Sequence, residues 1–342
     1  MNSFLSRHRL IEILDQIKTL RVGVLGDFAL DAYWYVDMTR AQLSRETPLF
    51  NRPVVKEMST PGGSANVAWN LAALGITNLT ALTILGYDWR ANILLDLMKK
   101  SEIHVDRIIS SSRWSTVAYA KTILISGELK QEEARLDFVN DHSLPEDLEA
   151  QLRNELEACI PNLDILVIAD YEPNGVLSPI LLDHLNSLVL CHPNVLFVVD
   201  SRDRICQFKN MVLKPNILEA KRAGYLDLAP EQLNNTDSIE INMILRNQTK
   251  KPVFITLGEK GCLAIEDMEA SWIPSISVPL PVDPVGAGDT FMASIAACLG
   301  AGATTVEAGY IANLAASVTV MKLHTTGTAT PDEIIQCYDG IE

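Results

Sequence analysis

Short apolar runs alternate with helix-like segments along most of this chain, and this alternation limits the possible folds more than any other feature of the sequence. The runs are rich in Val, Ile and Leu. They lie at residues 22–25, 79–85, 165–168, 195–199, 211–213 and 253–257. Nearly continuous apolar runs are typical of strands buried on both faces of a parallel sheet, and their alternation with helices produces βαβ units. The sequence therefore predicts an α/β fold with a doubly wound, mainly parallel sheet.

The predicted helices have recognisable ends. Ser64 is a candidate N-cap of a helix that Gly75 would stop, and Pro145 opens a further helix that runs to about Cys159. Near the start of the chain, apolar residues recur at helical spacing with charged residues between them, at Leu10, Ile13, Leu14 and Ile17. This spacing predicts an amphipathic helix packed on the body of the protein rather than a signal peptide. No apolar run approaches the roughly 20 residues that span a bilayer.

Composition and charge narrow the class of protein. The 342 residues are 48% hydrophobic and 21% charged, which suits a single domain over residues 1–342 and excludes intrinsic disorder. A formal charge of −15 opposes binding to nucleic acid or to an anionic membrane surface. The six cysteines form no CxxC pair and no Cys/His cluster at zinc-ligand spacing. We therefore expect reduced thiols and a cytoplasmic protein.

Two stretches interrupt the alternation of strands and helices, at residues 33–58 and 114–138. Both combine strand-forming residues with polar interruptions and contain no convincing helix. Although they are remote in sequence, such segments can pair into a small sheet that covers one edge of a larger domain. The sequence therefore predicts one domain with a small additional sheet.

The strongest local signal is the sequence DPVGAGD at residues 283–289, which an Ala-rich helix-like segment follows. The small residues Gly286, Ala287 and Gly288 would let an anion approach the backbone at a helix N-terminus, where free amides and the helix dipole attract it. Asp289 would repel a bound phosphate, so its chemistry suits a general base that accepts a proton from an attacking hydroxyl. The alternative is that Asp289 caps the helix and the glycines turn the chain.

Two further motifs offer polar groups to a small ligand. The sequence PGGSAN at residues 61–66 turns on Gly62 and Gly63, and its Asn66 could present a donor and an acceptor to a polyol. Asp31 follows the first predicted strand, at the edge of a parallel sheet where ligands usually bind. A carboxylate there can accept hydrogen bonds from two sugar hydroxyls. A tight turn with a Ser cap and a turn aspartate are the alternatives.

A fourth motif, KPNILE at residues 214–219, also follows a predicted strand. Asn216 and Glu219 would share one face of a helix and could hold a hydrated Mg²⁺ beside phosphates, because magnesium prefers oxygen ligands and keeps its waters. The alternative is an ordinary helix start. The sequence contains no GxxxxGK[ST] motif and no GxGxxG with an acidic partner, which argues against a P-loop nucleotidase and a dinucleotide-binding fold.

Taken in this order, the four motifs resemble the ribokinase, or PfkB, family of sugar kinases from about residue 20 to about residue 335. The sequence TLGEKG at residues 256–261 and the pair Ala312-Asn313 complete the resemblance. It implies a ribokinase-like central sheet with helices on both faces and a small β-lid formed by the segments 33–58 and 114–138. In many relatives the lid also pairs two subunits, so the resemblance implies a homodimer through the lid.

The resemblance also implies a chemistry, which is phosphoryl transfer from ATP with Mg²⁺. Asp289 would be the catalytic base, and Gly286, Ala287 and Gly288 would be the anion hole for the transferring group. The implied contacts with the sugar are Asp31, Gly62, Gly63 and Asn66. Asn216 and Glu219 would hold magnesium near the nucleotide, which Gly258, Gly261 and Asn313 would line. Carbonyls around Asp283 and Val285 would bind K⁺.

Within the family, the segments 26–35, 135–138, 169–171 and 322–328 look most like the kinase half of the heptose 7-phosphate kinases. The nucleotidyltransferase half of the two-domain enzymes has no match in this sequence. By this resemblance Asp170 would lie near the sugar. The implied reaction is phosphorylation of a heptose 7-phosphate or a related sugar.

Two departures from the heptose kinases concern lysines that are natural partners for a substrate phosphate. Those enzymes follow their Asp-Tyr pair with Lys-Gly, whereas here the sequence is DYEPNG at 170–175, and Tyr119 stands where they carry a lid lysine. The cations that could compensate are Arg40, Arg45, Lys121 and Arg135. The alternatives are a kinase for an unphosphorylated sugar or nucleoside, and a catalytically silent family member that binds sugar or nucleotide.

Overall fold

The structure is a computed structural model that describes residues 4–127, 129–225, 249–266, 269–323 and 325–341. In chain order its strands are β1 (Arg21–Gly26), β2 (Phe28–Asp37), β3 (Val54–Gly63), β4 (Asn78–Leu82), β5 (Ile84–Gly86), β6 (Ile109–Ser111), β7 (Val117–Ser126), β8 (Leu129–Glu132), β9 (Leu136–Phe138), β10 (Ile165–Asp170), β11 (Leu196–Ser201), β12 (Val212–Leu213), β13 (Val253–Thr256), β14 (Cys262–Glu266) and β15 (Glu269–Ile273). Its helices are α1 (Arg7–Ile17), α2 (Ser64–Ala73), α3 (Trp89–Lys100), α4 (Glu146–Cys159), α5 (Pro179–Cys191), α6 (Ile217–Ala220), α7 (Ala287–Gly300), α8 (Thr305–Val320) and α9 (Pro331–Asp339).

The main sheet has eight strands among the described residues, in the order β15-β14-β13-β12-β11-β10-β1-β4. The neighbours from β4 to β13 run parallel, and β14 and β15 add an antiparallel edge. The predicted α/β fold with a mainly parallel, doubly wound sheet is confirmed. The predicted strands at 22–25, 165–168 and 253–257 coincide with β1, β10 and β13.

Helices cover both faces of this sheet, which explains why its strands are apolar throughout. Val22, Val24 and Val167 point to one face, where they share a core with residues of α1, α2, α7 and α8. Leu166 and Ile168 point to the other face and pack with α4 and α5. The alternation has the two-residue period of a strand.

A second sheet joins segments that are distant in sequence. Its order is β3-β2-β7-β8, with β9 also paired to β7. Strand β2 runs antiparallel to β3 and parallel to β7, with Asp31 opposite both Thr60 and Tyr119. Leu30 and Ala118, next to these positions, belong to the main core, so Asp31 and Tyr119 point to the opposite face of this sheet.

The start of α2 differs from the prediction that Ser64 caps it. The N-cap residue is Gly63, which has φ +54, and Ser64 is already inside the helix. A side chain at position 63 would put its Cβ 2.5 Å from the carbonyl oxygen of Asp27. The Ser64 hydroxyl instead donates to the carbonyl of Ala169 at 3.1 Å. The close approach of three backbone segments, which local sequence does not encode, decides this helix start.

The other predicted helix ends lie close to the observed ones. Helix α4 begins directly after its N-cap Pro145 and ends at Cys159. Helix α2 is followed by Gly75 at φ +96. Helix α1 buries the predicted apolar positions, Leu10, Ile13, Leu14 and Ile17. Among the described residues, no helix is both long enough and apolar enough to cross a membrane.

Candidate active site

The polar residues of the site collect where neighbouring parallel strands end. Asp27 follows β1, Tyr171 follows β10, Asp200 lies at the end of β11 and Lys214 follows β12. These four strands are consecutive in the main sheet. Because parallel strands end at the same edge, their following residues meet there although they are far apart in sequence.

Asp289 lies at the same edge, in the first turn of α7. Each oxygen of its carboxylate accepts a hydrogen bond: Oδ2 from the amide of Asn66 at 2.7 Å, and Oδ1 from the hydroxyl of Tyr171 at 2.9 Å. Burial raises the pKa of Asp289 to about 6, although both hydrogen bonds oppose the rise by favouring the charged form. The carboxylate is therefore fixed in direction and holds a proton more readily than an exposed aspartate.

A chain of buried amides and hydroxyls orients Asn66. The amide nitrogen of Asn70 donates to Asn66 Oδ1 at 3.2 Å, so the amide nitrogen of Asn66 faces Asp289. Thr290 Oγ1 in turn donates to Asn70 Oδ1 at 2.8 Å. Asn66 is fully buried. Both halves of its amide have a partner within the protein, and the contact of Asn66 with a polyol stays a prediction.

Tyr171 links Asp289 to a buried ion pair. Its hydroxyl lies 3.0 Å from Asp200 Oδ2 as well as 2.9 Å from Asp289 Oδ1. Lys214 Nζ lies 2.8 Å from the same oxygen of Asp200, and both side chains are almost completely buried. Burial lowers the pKa of Lys214, but the carboxylates of Asp200, Glu219 and Asp289 together outweigh this effect, so its pKa is raised overall. The site therefore contains a continuous row of polar contacts that runs from Lys214 through Asp200 and Tyr171 to Asp289.

Asp27 anchors the loop that carries Tyr171. Its Oδ2 accepts the backbone N–H groups of Tyr171 at 3.0 Å and Glu172 at 2.9 Å, and its Oδ1 accepts that of Val176 at 2.7 Å. A Cβ at position 175 would lie 2.2 Å from the carboxylate, so Gly175 leaves room for it. Asp27 is thus a structural anion rather than a ligand group.

The predicted anion hole lies at the N-terminus of α7. Gly286 is the N-cap with φ +81, and no side chain caps the helix there. The N–H of Ala287 donates to the carbonyl of Pro284 at 3.2 Å. Gly288 has open space where a Cβ would be. The start of a 14-residue helix is thus uncapped and accessible, which are the properties an anion site needs.

Asp31 lies on the second sheet and faces the same region. It is 9% exposed, and Gly62 makes room for it, because a Cβ at position 62 would lie 2.8 Å from the Asp31 carboxyl carbon. Burial raises the pKa of Asp31 to about 7, while Lys121 and Arg135 lower it and Asp289 raises it. Asp31 and Asp289 are therefore electrostatic neighbours, as a shared substrate site requires.

Asn216 and Glu219 form a capping box at the start of α6. The Asn216 side chain accepts the backbone N–H of Glu219, and Glu219 Oε2 accepts the N–H of Asn216 at 2.7 Å. The alternative of an ordinary helix start thus describes the local geometry. Burial raises the pKa of Glu219 to about 7. The described part of the chain contains no cluster of three or more His, Cys, Asp or Glu side chains suited to a metal ion.

The residues predicted to line the nucleotide have structural roles at one turn. Gly261 has φ +93, and a Cβ there would lie 2.2 Å from the carbonyl oxygen of Ile273. The amide of Asn313 donates to the carbonyls of Ile273 at 3.2 Å and Pro274 at 3.0 Å. Gly258 has φ +59 with open space around it. Gly261 and Asn313 therefore hold the end of β15 in place.

The remaining predicted positions are Asp170, Asp283 and Val285. Asp170 accepts hydrogen bonds from Arg204 Nε at 3.0 Å and from the Ser201 hydroxyl at 2.6 Å. Together with Tyr171 and Arg204 it borders a cavity of about 220 Å³. The N–H of Val285 donates to Asp283 Oδ1 at 3.1 Å. Asp170 thus belongs to an ion pair beside the site.

The sequence interpretation assigned no role to Tyr171, Asp200 or Lys214. A signal existed, since each comes at or directly after the end of a buried parallel strand. Neither Tyr171 nor Lys214 is a glycine or a carboxylate, so neither resembles the glycine turns and carboxylates that mark the other strand ends. Their importance depends on contacts between separate strands.

Comparison with known proteins identifies relatives over nearly the whole chain. Residues 36–333 match the family described as pfkB family carbohydrate kinase. The bifunctional protein HldE of Aliarcobacter butzleri (strain RM4018) is 31% identical over 320 residues, covering 93% of this chain and 64% of that protein. HldE of Gluconobacter oxydans (strain 621H) is 32% identical over 327 residues, with the same coverages of 93% and 64%. The chain thus spans less than two thirds of these curated relatives.

Solved structures share the fold at lower identity. Phosphofructokinase-2 from Escherichia coli in complex with potassium has a TM-score of 0.73 and 20% identity, covering 94% of this chain and 99% of that one. Ribokinase from Giardia lamblia has a TM-score of 0.71 and 17% identity, covering 95% and 100%. These TM-scores show a common ribokinase-like architecture, and at such low identities the likeness extends to the fold alone.

Proposed function

Because the chain belongs to the pfkB family of carbohydrate kinases, we propose that it transfers the γ-phosphoryl group of ATP to a carbohydrate hydroxyl. Phosphotransfer to alcohol acceptors is the reaction of this family. The observation that carries the proposal is the location of Asp289 in the first turn of α7, at a helix end that no side chain caps. A proton acceptor and an anion-binding helix end thus lie side by side, and the reaction needs both.

The geometry supports a division of labour. The carboxylate of Asp289, held by Asn66 and Tyr171, would take the proton of the acceptor hydroxyl as its oxygen attacks the γ-phosphorus. Backbone amides at positions 286–288 and the positive end of α7 would stabilise the charge on the transferring phosphoryl oxygens. In a loose transition state there is little covalent work for the protein, so positioning and electrostatics supply most of the acceleration.

Asn216 and Glu219 suit magnesium only as a hydrated ion. The capping box occupies Asn216 Oδ1 and Glu219 Oε2, and two residues are too few to hold a bare Mg²⁺. Magnesium bound with ATP would neutralise charge on the phosphates. We propose that Glu219 orients a metal-bound water, and that carbonyls around Asp283 and Val285 bind K⁺. Activity in K⁺ compared with Na⁺ tests the second part.

For the acceptor we propose a heptose 7-phosphate or a related sugar phosphate. The similarity to the heptose 7-phosphate kinases supports this substrate. Of the cations that could replace the two absent lysines, Lys121 and Arg135 act electrostatically on Asp31. The guanidinium of Arg135 also stacks over the ring of Tyr119, 4.5 Å from its centroid. All three cations are paired with a carboxylate, but Arg40 is 70% exposed, against 46% for Arg135 and 15% for Lys121, so it is the weaker candidate.

A substrate panel tests the acceptor. ADP release would be measured with ATP, Mg²⁺ and K⁺ against D-glycero-D-manno-heptose 7-phosphate, pentoses, hexoses, their monophosphates and adenosine. We expect turnover with the heptose phosphate. Turnover with a neutral sugar alone would keep the kinase and overturn this substrate. No turnover with any acceptor, together with intact ATP binding, would favour a catalytically silent binding protein.

The substitution Asp289→Asn tests the assignment of the base. We expect kcat to fall by at least ~100-fold, the low end for a general base, with little change in Tm. The amide is isosteric: its oxygen can accept from Asn66, and its NH₂ can donate to Tyr171 while that hydroxyl turns to Asp200. Asp332→Asn, in the first turn of α9, is the matched control and should keep full turnover. A stable Asp289→Asn enzyme with wild-type kcat would refute the assignment.

We also propose that the second sheet acts as the lid and that two copies associate through it. The long connection between β2 and β3 exposes Leu43, Leu49 and Phe50, with 61%, 68% and 66% of their surface accessible. Exposed apolar side chains so close together are typical of an association surface. The partner we propose is a second copy of this chain.

A further inference from the structure

We infer that Tyr171 is a positioning residue for the reactive carboxylate of Asp289, acting as a hydrogen-bond donor that can turn between Asp289 and the buried Asp200. This inference rests on the proposed kinase function of Asp289. It assigns a role to Tyr171, Asp200 and Lys214, for none of which the sequence predicted an individual function.

The first step is the hydrogen count at the Tyr171 hydroxyl. A tyrosine hydroxyl carries one hydrogen, yet it lies 2.9 Å from Asp289 Oδ1 and 3.0 Å from Asp200 Oδ2. It can therefore donate to only one carboxylate at a time, and the two distances make either direction feasible. Burial and the two adjacent carboxylates raise the pKa of Tyr171 well above its usual value, so the hydroxyl keeps its hydrogen.

The second step is that Asp200 can accept this hydrogen at any time. Its Oδ2 is ion-paired with Lys214 Nζ at 2.8 Å, and ionised carboxylates are strong acceptors. Its Oδ1 is buried and has no hydrogen-bond partner within the described ranges. Oδ2 is the oxygen that faces the Tyr171 hydroxyl, and because a carboxylate oxygen has two lone pairs it can accept that hydrogen while it stays paired with Lys214.

The third step is the proton balance of the reaction. The O–H bond of the acceptor sugar breaks, its oxygen bonds to the γ-phosphorus, and the bond to the bridging oxygen breaks as ADP leaves with that electron pair. The sugar proton goes to Asp289. As the negative charge of Asp289 disappears, the hydrogen of Tyr171 turns to Asp200 without leaving its own oxygen. No proton passes through Tyr171. Its hydroxyl has a hydrogen-bond partner whether Asp289 is charged or protonated.

The fourth step is rigidity, since a positioning residue must itself be held. The backbone N–H of Tyr171 is bound by the buried carboxylate of Asp27 at 3.0 Å. The guanidinium of Arg202 lies over its ring, 5.1 Å from the centroid, and donates to its carbonyl at 3.1 Å. The side chain is 8% exposed. The ring is fixed, and only the hydroxyl hydrogen is free to turn.

The test is the pH profile of Tyr171→Phe. The titratable and charged groups facing Asp289 come from several elements: Asp31 on β2, Tyr171 after β10, Asp200 on β11 and Lys214 after β12. Of these, the variant removes only the Tyr171 hydroxyl, which donates to the charged form of Asp289. Losing such a donor raises the pKa of a carboxyl group. We therefore expect the acidic limb of kcat/KM to move to higher pH.

We also expect kcat at pH 8 to fall by roughly 10- to 100-fold, as for the loss of a hydrogen bond to a charged group, with KM for the sugar changed less than threefold. The matched control is Tyr338→Phe. Tyr338 lies on helix α9, far along the chain from Tyr171. The variant removes its buried hydroxyl, which donates to the carbonyl of Leu5 at 2.8 Å. This control should lose stability and keep the wild-type kcat and pH profile.

Wild-type kcat and an unmoved acidic limb in Tyr171→Phe would overturn the inference, as would losses that match those of Tyr338→Phe. A wild-type enzyme without turnover would refute the proposed function instead. In that case carboxyl ¹³C NMR titration decides the inference, with Asp289→Asn identifying the resonance. A higher Asp289 pKa in Tyr171→Phe supports the role of Tyr171, and an unchanged pKa refutes it.

Discussion

At the scale of single residues, this site consists of side chains whose partners are other polar side chains of the protein. Asn66 and Tyr171 each direct one donor to Asp289. Neither donor carries a charge, so the carboxylate is fixed in direction while burial keeps its pKa near 6. A cation at the same distance would lower that pKa and weaken the base. Neutral donors therefore fix the direction of the Asp289 carboxylate without lowering its pKa as far as a cation would.

The raised pKa of Asp289 predicts the pH dependence of the wild-type enzyme. Catalysis requires the ionised carboxylate, so kcat/KM should be level well above pH 7 and decline by at least tenfold per pH unit below about pH 6. Initial rates between pH 5 and 8.5 at constant ionic strength provide the check. A profile that stays flat to pH 5 would contradict the prediction.

Asp31 complicates this profile in a predictable way. Burial raises its pKa to about 7, so a second ionisation steepens the acidic limb if sugar binding needs the Asp31 carboxylate. The variant Asp31→Asn should remove that contribution while the limb from Asp289 remains. Its residual rate will be low, because the amide binds sugar hydroxyls less strongly than a carboxylate does.

At the scale of elements, glycines decide how closely the ends of strands and helices approach. Gly63 lets β3 run directly into α2, and Gly286 begins α7 in the left-handed region. Gly261 lies between β13 and β14, where its Cα faces the backbone of the turn after β15. At these positions a side chain would separate the elements that form the site, so the glycines determine its dimensions.

A pair of alanine substitutions separates backbone strain from steric clash. Gly258→Ala, at φ +59 with nothing within 4 Å of the new Cβ, should cost only the backbone strain, about 1–2 kcal/mol. Gly261→Ala adds contacts of 2.2 Å to the Ile273 carbonyl oxygen and 2.5 Å to the Ser275 nitrogen, so we expect about 2–5 kcal/mol. Thermal melts of the two variants make the comparison. Equal losses of stability in the two variants would show that the turn after β15 moves away from the new Cβ without cost.

At the scale of the whole molecule, the main sheet and the second sheet supply different parts of the site. The main sheet edge holds Tyr171, Asp200 and Lys214, whereas the second sheet contributes Asp31. Asp31 and Asp289 influence each other electrostatically across this boundary. A relative movement of the two sheets would therefore change the distance between Asp31 and Asp289, the proposed sugar contact and the proposed base.

The proposed association through the second sheet is tested by mass in solution. Light scattering after size exclusion should find twice the mass of one chain for the wild type. The double variant Leu49→Ser/Phe50→Ser should be monomeric, because it removes exposed apolar surface from the connection between β2 and β3. Leu190→Ser is the control, since Leu190 is equally exposed at 67% but lies at the end of α5. A monomeric wild type would refute the dimer.

The fold class, and the location of the proposed base Asp289 at the start of a helix, follow from sequence alone. Apolar runs report strands buried on both faces, and DPVGAGD at 283–289 encodes a turn into a helix, because these features depend on residues close together in the chain. Local sequence was also sufficient for α1 and for the helix that ends at Cys159. These two helices form because their own apolar residues lie on one helical face.

Which side chains meet depends on how distant segments of the chain pack together. Asn66 and Asp289 are 223 residues apart, and Tyr171 and Asp289 are 118 apart. Their contacts follow from the order of the strands in the main sheet and from the packing of α2 beside α7, neither of which a local pattern encodes. This is why the contact between Tyr171 and Asp289 could not be predicted from the sequence. A hydrogen-bond partner is a property of three-dimensional proximity, whereas a motif records only neighbours along the chain.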